Sequence, residues 1–250
     1  MNQHLSLRSG NPALRAETFI RAGRVAADQA MTIMGTVNKT ALSLLLLMST
    51  AIFTWNLPTG DPRMGGFMMV GVFGGLILAL VTTFKKHLAP YTVPAYALLE
   101  GLALGGISKY FEQLYPGIVN QAVFLTFGTL AALLIAYRSG LIKPTENFKL
   151  GIAAATGGVF FIYLISFIMG FFGKSVPLIH SSSNFGILFS LIVVGIAALN
   201  LVMDFDFIEE GAERGAPKYM EWYGAFGLLV TLIWLYLEIL RLLAKLQERR

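Results

Sequence analysis

Four acidic side chains lie within or at the ends of long apolar stretches of this sequence. They are Glu100, Asp204, Asp206 and Glu238. A charge near the centre of a bilayer costs about 2.5 to 3.5 kcal/mol on insertion scales, so such groups generally face a cavity or a partner. Carboxylates can exchange protons, and their oxygens suit hard cations such as Ca²⁺. The sequence therefore points to proton or cation chemistry inside a membrane.

Asp204 and Asp206 follow an uncharged run over 185–203. Asn200 lies one helical turn before Asp204 and shares its face, which places an amide and a carboxylate along one stripe. Asp206 lies about 200° further round the helix, so the two aspartates cannot both point inward. We expect Asp204 to face the protein interior and Asp206 to meet water or lipid headgroups.

Glu238 has two candidate partners. Arg241, three residues further along the chain, offers an ion pair within the helix. Asp204 offers the other, because two carboxylates that meet in the interior share a proton and titrate as one coupled unit. Loss of that proton would leave two negative charges suited to transient Ca²⁺ binding. Asp204 and Glu238 are thus the predicted pH-sensing and metal-contacting pair.

Basic and acidic side chains on other helices are candidate members of the same network. Lys85 and Lys86 end the second apolar run, where each either pairs with Asp204 or anchors the helix in the cytoplasmic headgroups. Glu100 either lines a path to the carboxylate pair or bonds to a neighbouring helix. The predicted pore or network residues are Glu100, Asn200, Asp206, Arg241 and Lys86.

The composition indicates a membrane protein. Of the 250 residues, 56% are hydrophobic and 13% are charged, and this charged share is about half of what soluble domains carry. A helix needs about 20 apolar residues to cross a bilayer. The chain has seven apolar runs of about this length, over 39–56, 67–84, 91–109, 119–138, 150–172, 185–205 and 223–245. We predict an all-α integral membrane protein with seven transmembrane helices over 39–250 and a tail over 1–38.

The basic residues predict the orientation. Cytoplasmic segments are enriched in Lys and Arg, and most basic residues of this chain lie in segments that share the side of the N-terminus. The tail is therefore expected to be cytoplasmic, with an interfacial helix over 17–35. The C-terminus, with Arg241, Lys245, Arg249 and Arg250, conflicts with this rule. The last run either crosses the membrane completely or is re-entrant.

Other features narrow the function. Gly71 with Gly75, and Gly101 with Gly105, have the spacing that lets membrane helices approach closely. The chain has no cysteine, and HExxH and GxSxG are absent, so we predict neither an enzyme nor a bound cofactor. The net charge of +5 agrees with cytoplasmic basic loops and does not require a nucleic-acid partner.

Two segments resemble a known family. The segments 200–209 (NLVMDFDFIE) and 234–243 (WLYLEILRLL) resemble the paired acidic motifs of the Bax inhibitor (transmembrane Bax-inhibitor-motif) family. The segment 96–105 is similar to its third-helix pattern, and 11–14 and 31–40 resemble a bacterial branch.

The resemblance implies a fold and an activity. The fold has seven helices, with the last one central between two three-helix layers. The implied activity is a pH-sensitive Ca²⁺ leak gated by Asp204 and Glu238. Lys85 falls near the position of a basic residue on the second helix that, in bacterial relatives, holds the sixth-helix aspartate in the closed gate. The family usually has aspartate at the position of Glu238, and its bacterial members have arginine near that of Lys85. The geometry of the gate is therefore expected to differ here.

The resulting hypothesis is a Ca²⁺ leak channel of the bacterial inner membrane, with lipid, Ca²⁺ and protons as its partners and Ca²⁺ as the permeant ion. Two alternatives remain open. One is a non-transporting factor that binds other membrane proteins in quality control or stress. The other is a proton-coupled transporter of a small solute.

Overall fold

The computed structural model describes residues 29–173 and 181–249. Over these residues the chain forms seven long helices and, between the second and third, a short 3₁₀ turn at Lys86–Leu88. The helices are α1 Ile33–Trp55, α2 Arg63–Phe84, α3 Ala89–Leu114, α4 Ile118–Arg138, α5 Glu146–Phe171, α6 Asn184–Glu213 and α7 Met220–Glu248. Each predicted apolar run overlaps one of these helices, which confirms the all-helical prediction for the described part of the chain.

Six of the seven helices are long and apolar enough to cross a membrane. The exception is α3, which carries Glu100, Lys109 and Glu112 and is less apolar than the others. Large apolar side chains on α5 are exposed, including Phe160, Phe161 and Phe167, each at least 60% exposed. Exposed apolar surface of this extent is typical of a lipid-facing helix. The chain is therefore a multi-pass membrane protein.

The chain divides into two compact units. The first, which we call the carboxylate unit, comprises Asn120–Asp206 and the described chain from Thr231 onward. The second, which we call the glycine unit, comprises the described chain up to Val119 together with Phe207–Val230. Both α6 and α7 contribute to each unit. The layer arrangement implied by the resemblance stays a prediction, although α7 is the most buried of the six apolar helices.

Glycines bring α3 against its neighbours in the glycine unit. A Cβ atom at Gly71 on α2 would lie 2.6 Å from the carbonyl oxygen of Leu99 on α3. Gly101 and Gly105 of α3 lie directly against backbone carbonyls of α1, those of Leu47 and Ala51. Because these contacts join backbone to backbone, any side chain at the glycines would force the helices apart. The predicted close packing is confirmed.

Contacts along α3 define its direction relative to α2. The hydroxyls of Thr82, near the end of α2, and Thr92, near the start of α3, are 2.7 Å apart. Gly106, near the other end of α3, lies against Met68, near the start of α2. The two helices are therefore antiparallel and pack along most of their lengths.

The segment before α1 pairs with the loop between α6 and α7. Met31 N donates to Ala216 O at 2.7 Å, and Lys218 N donates to Gln29 O at 2.9 Å. Thr32 caps α1, since its hydroxyl accepts from Gly35 N at 2.9 Å. The interfacial helix predicted over 17–35 is thus wrong over 30–32, where this pairing holds the backbone extended. Residues 1–28 of the predicted tail lie outside the described residues.

Glu221, in the first turn of α7, reinforces this pairing. Its fully buried carboxylate accepts hydrogen bonds from both Thr32 N and the Thr32 hydroxyl, at 2.9 and 3.0 Å. Lys39 of α1 forms an ion pair with the same carboxylate. The starts of α1 and α7 are therefore tied together within the glycine unit.

Candidate functional site

Asp204 is a buried carboxylate on α6. Its side chain has no exposed surface, and neither carboxylate oxygen accepts a hydrogen bond of normal geometry from a described residue. The Thr231 hydroxyl of α7 interacts with this carboxylate. Buried carboxylates almost always have donors or a counter-ion, because an unpartnered charge is costly to bury. Asp204 departs from this pattern.

Asn200 lies one turn before Asp204 and is 1% exposed. Its amide nitrogen donates to the hydroxyl of Thr156 on α5 and to the carbonyl oxygen of Ile196, both at 2.8 Å. Both donors are therefore used, whereas its amide oxygen has no partner among the described residues. The predicted amide–carboxylate stripe is present, and it presents buried oxygens without donors.

Glu238 is buried on α7 within a fully bonded network. Arg241 Nη1 donates to its two oxygens at 2.8 and 2.9 Å, and Tyr163 of α5 donates its hydroxyl at 2.9 to 3.0 Å. Trp234 Nε1 donates at 3.2 Å. The Arg241 guanidinium also lies over the Tyr163 ring, 5.1 Å from its centroid, which is cation–π geometry. Glu238 is therefore neutralised and held in place.

Asp204 and Glu238 do not bond to each other in this structure. Glu238 instead forms the intrahelical ion pair with Arg241 that the three-residue spacing allowed. Asp204 interacts with Thr231, which lies two helical turns from Glu238, about 10 Å along the helix axis. The expected direct sharing of a proton is thus not formed here. The gating roles of Asp204 and Glu238 stay predictions.

Asp206 forms an ion pair, and its side chain is 23% exposed, so its contact with water or headgroups stays a prediction. Lys149, near the start of α5, lies 2.6 Å from its carboxylate and is 7% exposed. Glu146 is a weaker second partner of Lys149, at 4.0 Å. This pair was not predicted, because Lys149 lies just outside the apolar run over 150–172. Helix α5 begins at Glu146 and so carries Lys149 into the protein.

The basic end of α7 makes internal contacts. Lys245 is 4% exposed and donates to the carbonyl oxygen of Gly186 at 2.9 Å and to the Ser190 hydroxyl at 2.8 Å. Arg249 bonds to the amide oxygen of Asn184. These groups bind the start of α6. Helix α7 is continuous over 29 residues, and whether it crosses completely or is re-entrant stays a prediction.

Glu100, Lys85 and Lys86 lie in the glycine unit. Glu100 interacts with the Tyr96 hydroxyl one turn earlier and packs against Gly75 of α2, where a Cβ atom would lie 2.6 Å from its Oε1. Lys86 Nζ lies 5.3 Å from the centroid of the Tyr223 ring, and Lys85 caps the end of α2. Pairing of either lysine with Asp204 stays a prediction.

No group of three or more His, Asp or Glu side chains that could hold a metal ion occurs within 29–173 and 181–249. The prediction that Asp204 and Glu238 contact Ca²⁺ therefore has no support from a cluster of carboxylates. Any cation at Asp204 would need neutral oxygen ligands.

The fold and these buried charges define a class, namely a helical multi-pass membrane protein with ionisable groups in its interior. The family model described as "Bax inhibitor 1 like" matches residues 11–248. The chain belongs to this family, as its acidic motifs predicted. The family generally comprises non-enzymatic membrane proteins. Comparison with curated proteins gave no match, and comparison with solved structures gave none either.

Proposed function

We propose that this protein is a pH-sensitive Ca²⁺ leak channel of the bacterial cytoplasmic membrane, and that Asp204 is its switching group. One observation carries the proposal: Asp204 is fully buried, and no residue within 29–173 and 181–249 donates a hydrogen bond of normal geometry to either of its oxygens. A carboxylate in this state is sensitive to the gain or loss of a single proton. Membership in the Bax inhibitor family also supports this proposed function.

The energetics link the charge of Asp204 to the helix packing. Burying an ionised carboxylate without a counter-ion costs several kcal/mol. The packing described here and an ionised Asp204 therefore oppose each other, so that deprotonation favours a different packing. Two other predicted site residues of the carboxylate unit, Asp206 and Glu238, are also acidic. Each already has a cationic partner, since Asp206 pairs with Lys149 and Glu238 with Arg241. Asp204 is the member of the set whose charge is uncompensated.

We expect Asp204→Asn to abolish the pH dependence of Ca²⁺ flux. Asparagine has nearly the same shape as protonated aspartate but cannot ionise. The variant should therefore hold one flux across pH 6 to 8, equal to the level that the unsubstituted protein reaches at the acidic end. Ca²⁺ uptake into proteoliposomes, followed by stopped flow, measures this.

Asp206→Asn is the matched control, because it removes a carboxylate on the same helix that has a counter-ion, and it should retain the pH dependence. Asp61, in the α1–α2 connection, is not expected to contribute to the pH dependence of Ca²⁺ flux. Hydrogen bonds from Arg63 lower the pKa of its carboxyl to about 2, so the stabilisation from this pair is lost only as the pH falls towards that value.

Flux from Asp204→Asn that follows pH as the unsubstituted protein does would contradict the proposal. Background flux together with a stoichiometric membrane-protein partner would favour a non-transporting factor.

Two contacts support seven crossings, and the distribution of Lys and Arg supports a cytoplasmic N-terminus. The pairing of Gln29 with Lys218 requires that these residues lie on one side of the membrane, so an even number of crossings separates them. Packing of α3 along most of α2 supports α3 as a crossing despite its lower apolarity. With α1 to α6 all crossing, the count is even, and α7 completes seven.

Single cysteines test this topology, since the chain has none of its own. Gln29→Cys, Lys218→Cys and Thr59→Cys each place a thiol at an exposed position. We expect an impermeant maleimide to label Thr59→Cys in intact spheroplasts, and to label Gln29→Cys and Lys218→Cys only after lysis. Labelling of Gln29→Cys and Lys218→Cys on different sides would contradict the even count, and the reversed pattern would contradict the orientation.

A further inference from the structure

The connection between α6 and α7 is short and has a fixed backbone. It begins with a turn at Gly215, whose φ of 65° is the left-handed conformation that glycine adopts readily at helix ends. Ala216 N donates across this turn to the carbonyl oxygen of Gly211 at 3.0 Å, and Met220 N donates to that of Pro217 at 2.9 Å. Because hydrogen bonds fix both ends of the connection, it transmits a movement of α6 or α7 and does not absorb it.

Residues 29–32, which we call the strap, bind this connection from the start of α1. Two backbone hydrogen bonds, of 2.7 and 2.9 Å, join the strap to Ala216 and Lys218. Between them, Ala30 and Pro217 lie opposite each other in an antiparallel pairing. Both bonds lie beside this pair rather than within it, so the pairing needs no amide hydrogen from Pro217.

Glu221 anchors the strap from the first turn of α7. Its carboxylate is fully buried and accepts two hydrogen bonds from Thr32, and Lys39 of α1 faces it with the opposite charge. Lys39 Nζ also lies 5.7 Å from the centroid of the Trp222 ring, which is cation–π geometry. Gly35 makes room for the carboxylate, since a Cβ atom there would overlap both of its oxygens. One carboxylate thus joins the strap and α1 to α7.

Helix α1 cannot follow the connection if α6 or α7 shifts. Gly101 and Gly105 of α3 lie directly against backbone carbonyls of α1, so α1 is fixed to α3. Helices α6 and α7 continue from the connection to Asp204 and Glu238 without interruption. A shift of either helix relative to α1 must therefore break the hydrogen bonds between the strap and the connection.

We propose that the strap is a switch that must release the α6–α7 connection before the protein adopts its second packing. This inference rests on the proposed function, in which deprotonation of Asp204 favours that packing. The closed strap stabilises the packing described here, and the released strap lets α6 and α7 move. The strap thereby sets the pH at which the flux changes, although residues 29–32 include no titratable side chain.

A disulfide between Ala30→Cys and Pro217→Cys locks the strap reversibly. Antiparallel pairs of this kind have Cα atoms about 4.5 Å apart, which is a distance that a disulfide spans, and the chain has no other cysteine. We expect the double variant, oxidised with diamide in proteoliposomes, to hold one Ca²⁺ flux across pH 6 to 8, at the level that the unsubstituted protein reaches at the acidic end. Reduction with dithiothreitol should restore the pH dependence in the same vesicles, and each single variant should keep it throughout.

Gly35→Ala loosens the strap at its anchor. The added methyl group displaces the Glu221 carboxylate, which is the end of a flexible side chain, from Thr32 and Lys39. Loss of these charge-assisted contacts shifts the equilibrium towards the second packing by about tenfold, which lowers the midpoint pH of the flux by about one unit. Gly65→Ala, at the third residue of α2 as Gly35 is at the third of α1, is the matched control. A Cβ atom there would meet nothing within 4 Å, so the midpoint should not move.

Spin labels report on the strap without any flux. Labels on Gln29→Cys and Lys218→Cys occupy exposed positions and leave the backbone pairing intact, so dipolar broadening between them marks a closed strap. We expect broadening at pH 6 and its loss at pH 8. When Asp204→Asn is added, the broadening should be present at both values.

Three results would overturn the switch: broadening that persists at pH 8 in a protein whose flux follows pH, a pH-dependent flux through the fully oxidised double variant, or an unshifted midpoint in Gly35→Ala. Failure of the proposed function is distinguishable from these. Background flux from a protein whose broadening still follows pH would refute the leak and leave the switch in place, whereas background flux with broadening unchanged by pH would overturn both.

Discussion

Gly101→Ala is expected to lower the free energy of unfolding by more than about 3 kcal/mol. A Cβ atom at this position would overlap the carbonyl oxygen of Leu47 and the hydroxyl of Thr50, both on α1. The carbonyl belongs to a helix backbone and cannot turn aside, so α1 and α3 must separate. Their separation also breaks the hydrogen bond from the Thr50 hydroxyl to Leu98 O, which is 2.8 Å long. Thermal or denaturant unfolding in detergent measures the loss.

Gly128→Ala is the matched control for this prediction. Gly128 is also inside a helix, α4, but a Cβ atom there would meet nothing within 4 Å. Alanine forms helices more readily than glycine by about 1 kcal/mol, so this variant should be as stable as the unsubstituted protein or slightly more stable. Equal stabilities of the two variants would show that Gly101 is not a close-packing position.

The second large effect is expected from Glu238→Leu, at about 2 to 3 kcal/mol of lost stability. The substitution leaves Arg241 without its carboxylate, and it removes acceptors from Tyr163 and Trp234. The Arg241 side chain is 37% exposed, so water offsets part of the cost of its unpaired charge. The measurement is again unfolding of the purified protein in detergent.

The double variant Glu238→Leu/Arg241→Leu separates the cost of an unpaired charge from the loss of packing. Replacing both members of a buried pair by apolar residues is often nearly neutral, whereas removing one is destabilising. We expect the double variant to recover at least half of the loss caused by Glu238→Leu. A double variant less stable than Glu238→Leu would mean that the ion pair itself contributes most of the stability.

Glu238 shows which contacts the spacing of residues along one helix can predict and which it cannot. The three-residue spacing to Arg241 indicated an ion pair, and the structure contains it. The alternative pairing with Asp204 depended on where α5, α6 and α7 approach each other, which no spacing along one helix specifies. Tyr163 on α5 completes the Glu238 network, and nothing near Glu238 in the sequence pointed to it.

Helix ends were harder to predict than helix centres. The last two apolar runs are separated by 206–222, whereas α6 continues to Glu213 and α7 begins at Met220. Charged residues end an apolar run but do not end a helix, since Glu, Lys and Arg are good helix formers. The early start of α5 has the same cause, and it brings Lys149 to Asp206.

By itself, the sequence determined the helical membrane class, the positions of the helices and the family. The reason is that run length, apolarity and short acidic motifs are properties of neighbouring residues in the chain. Only the tertiary structure decided which charges are paired, because that depends on how each helix is rotated and which helix lies beside it. It placed cations beside Asp206 and Glu238, whereas buried Asp204 has only the interaction with the Thr231 hydroxyl among the described residues.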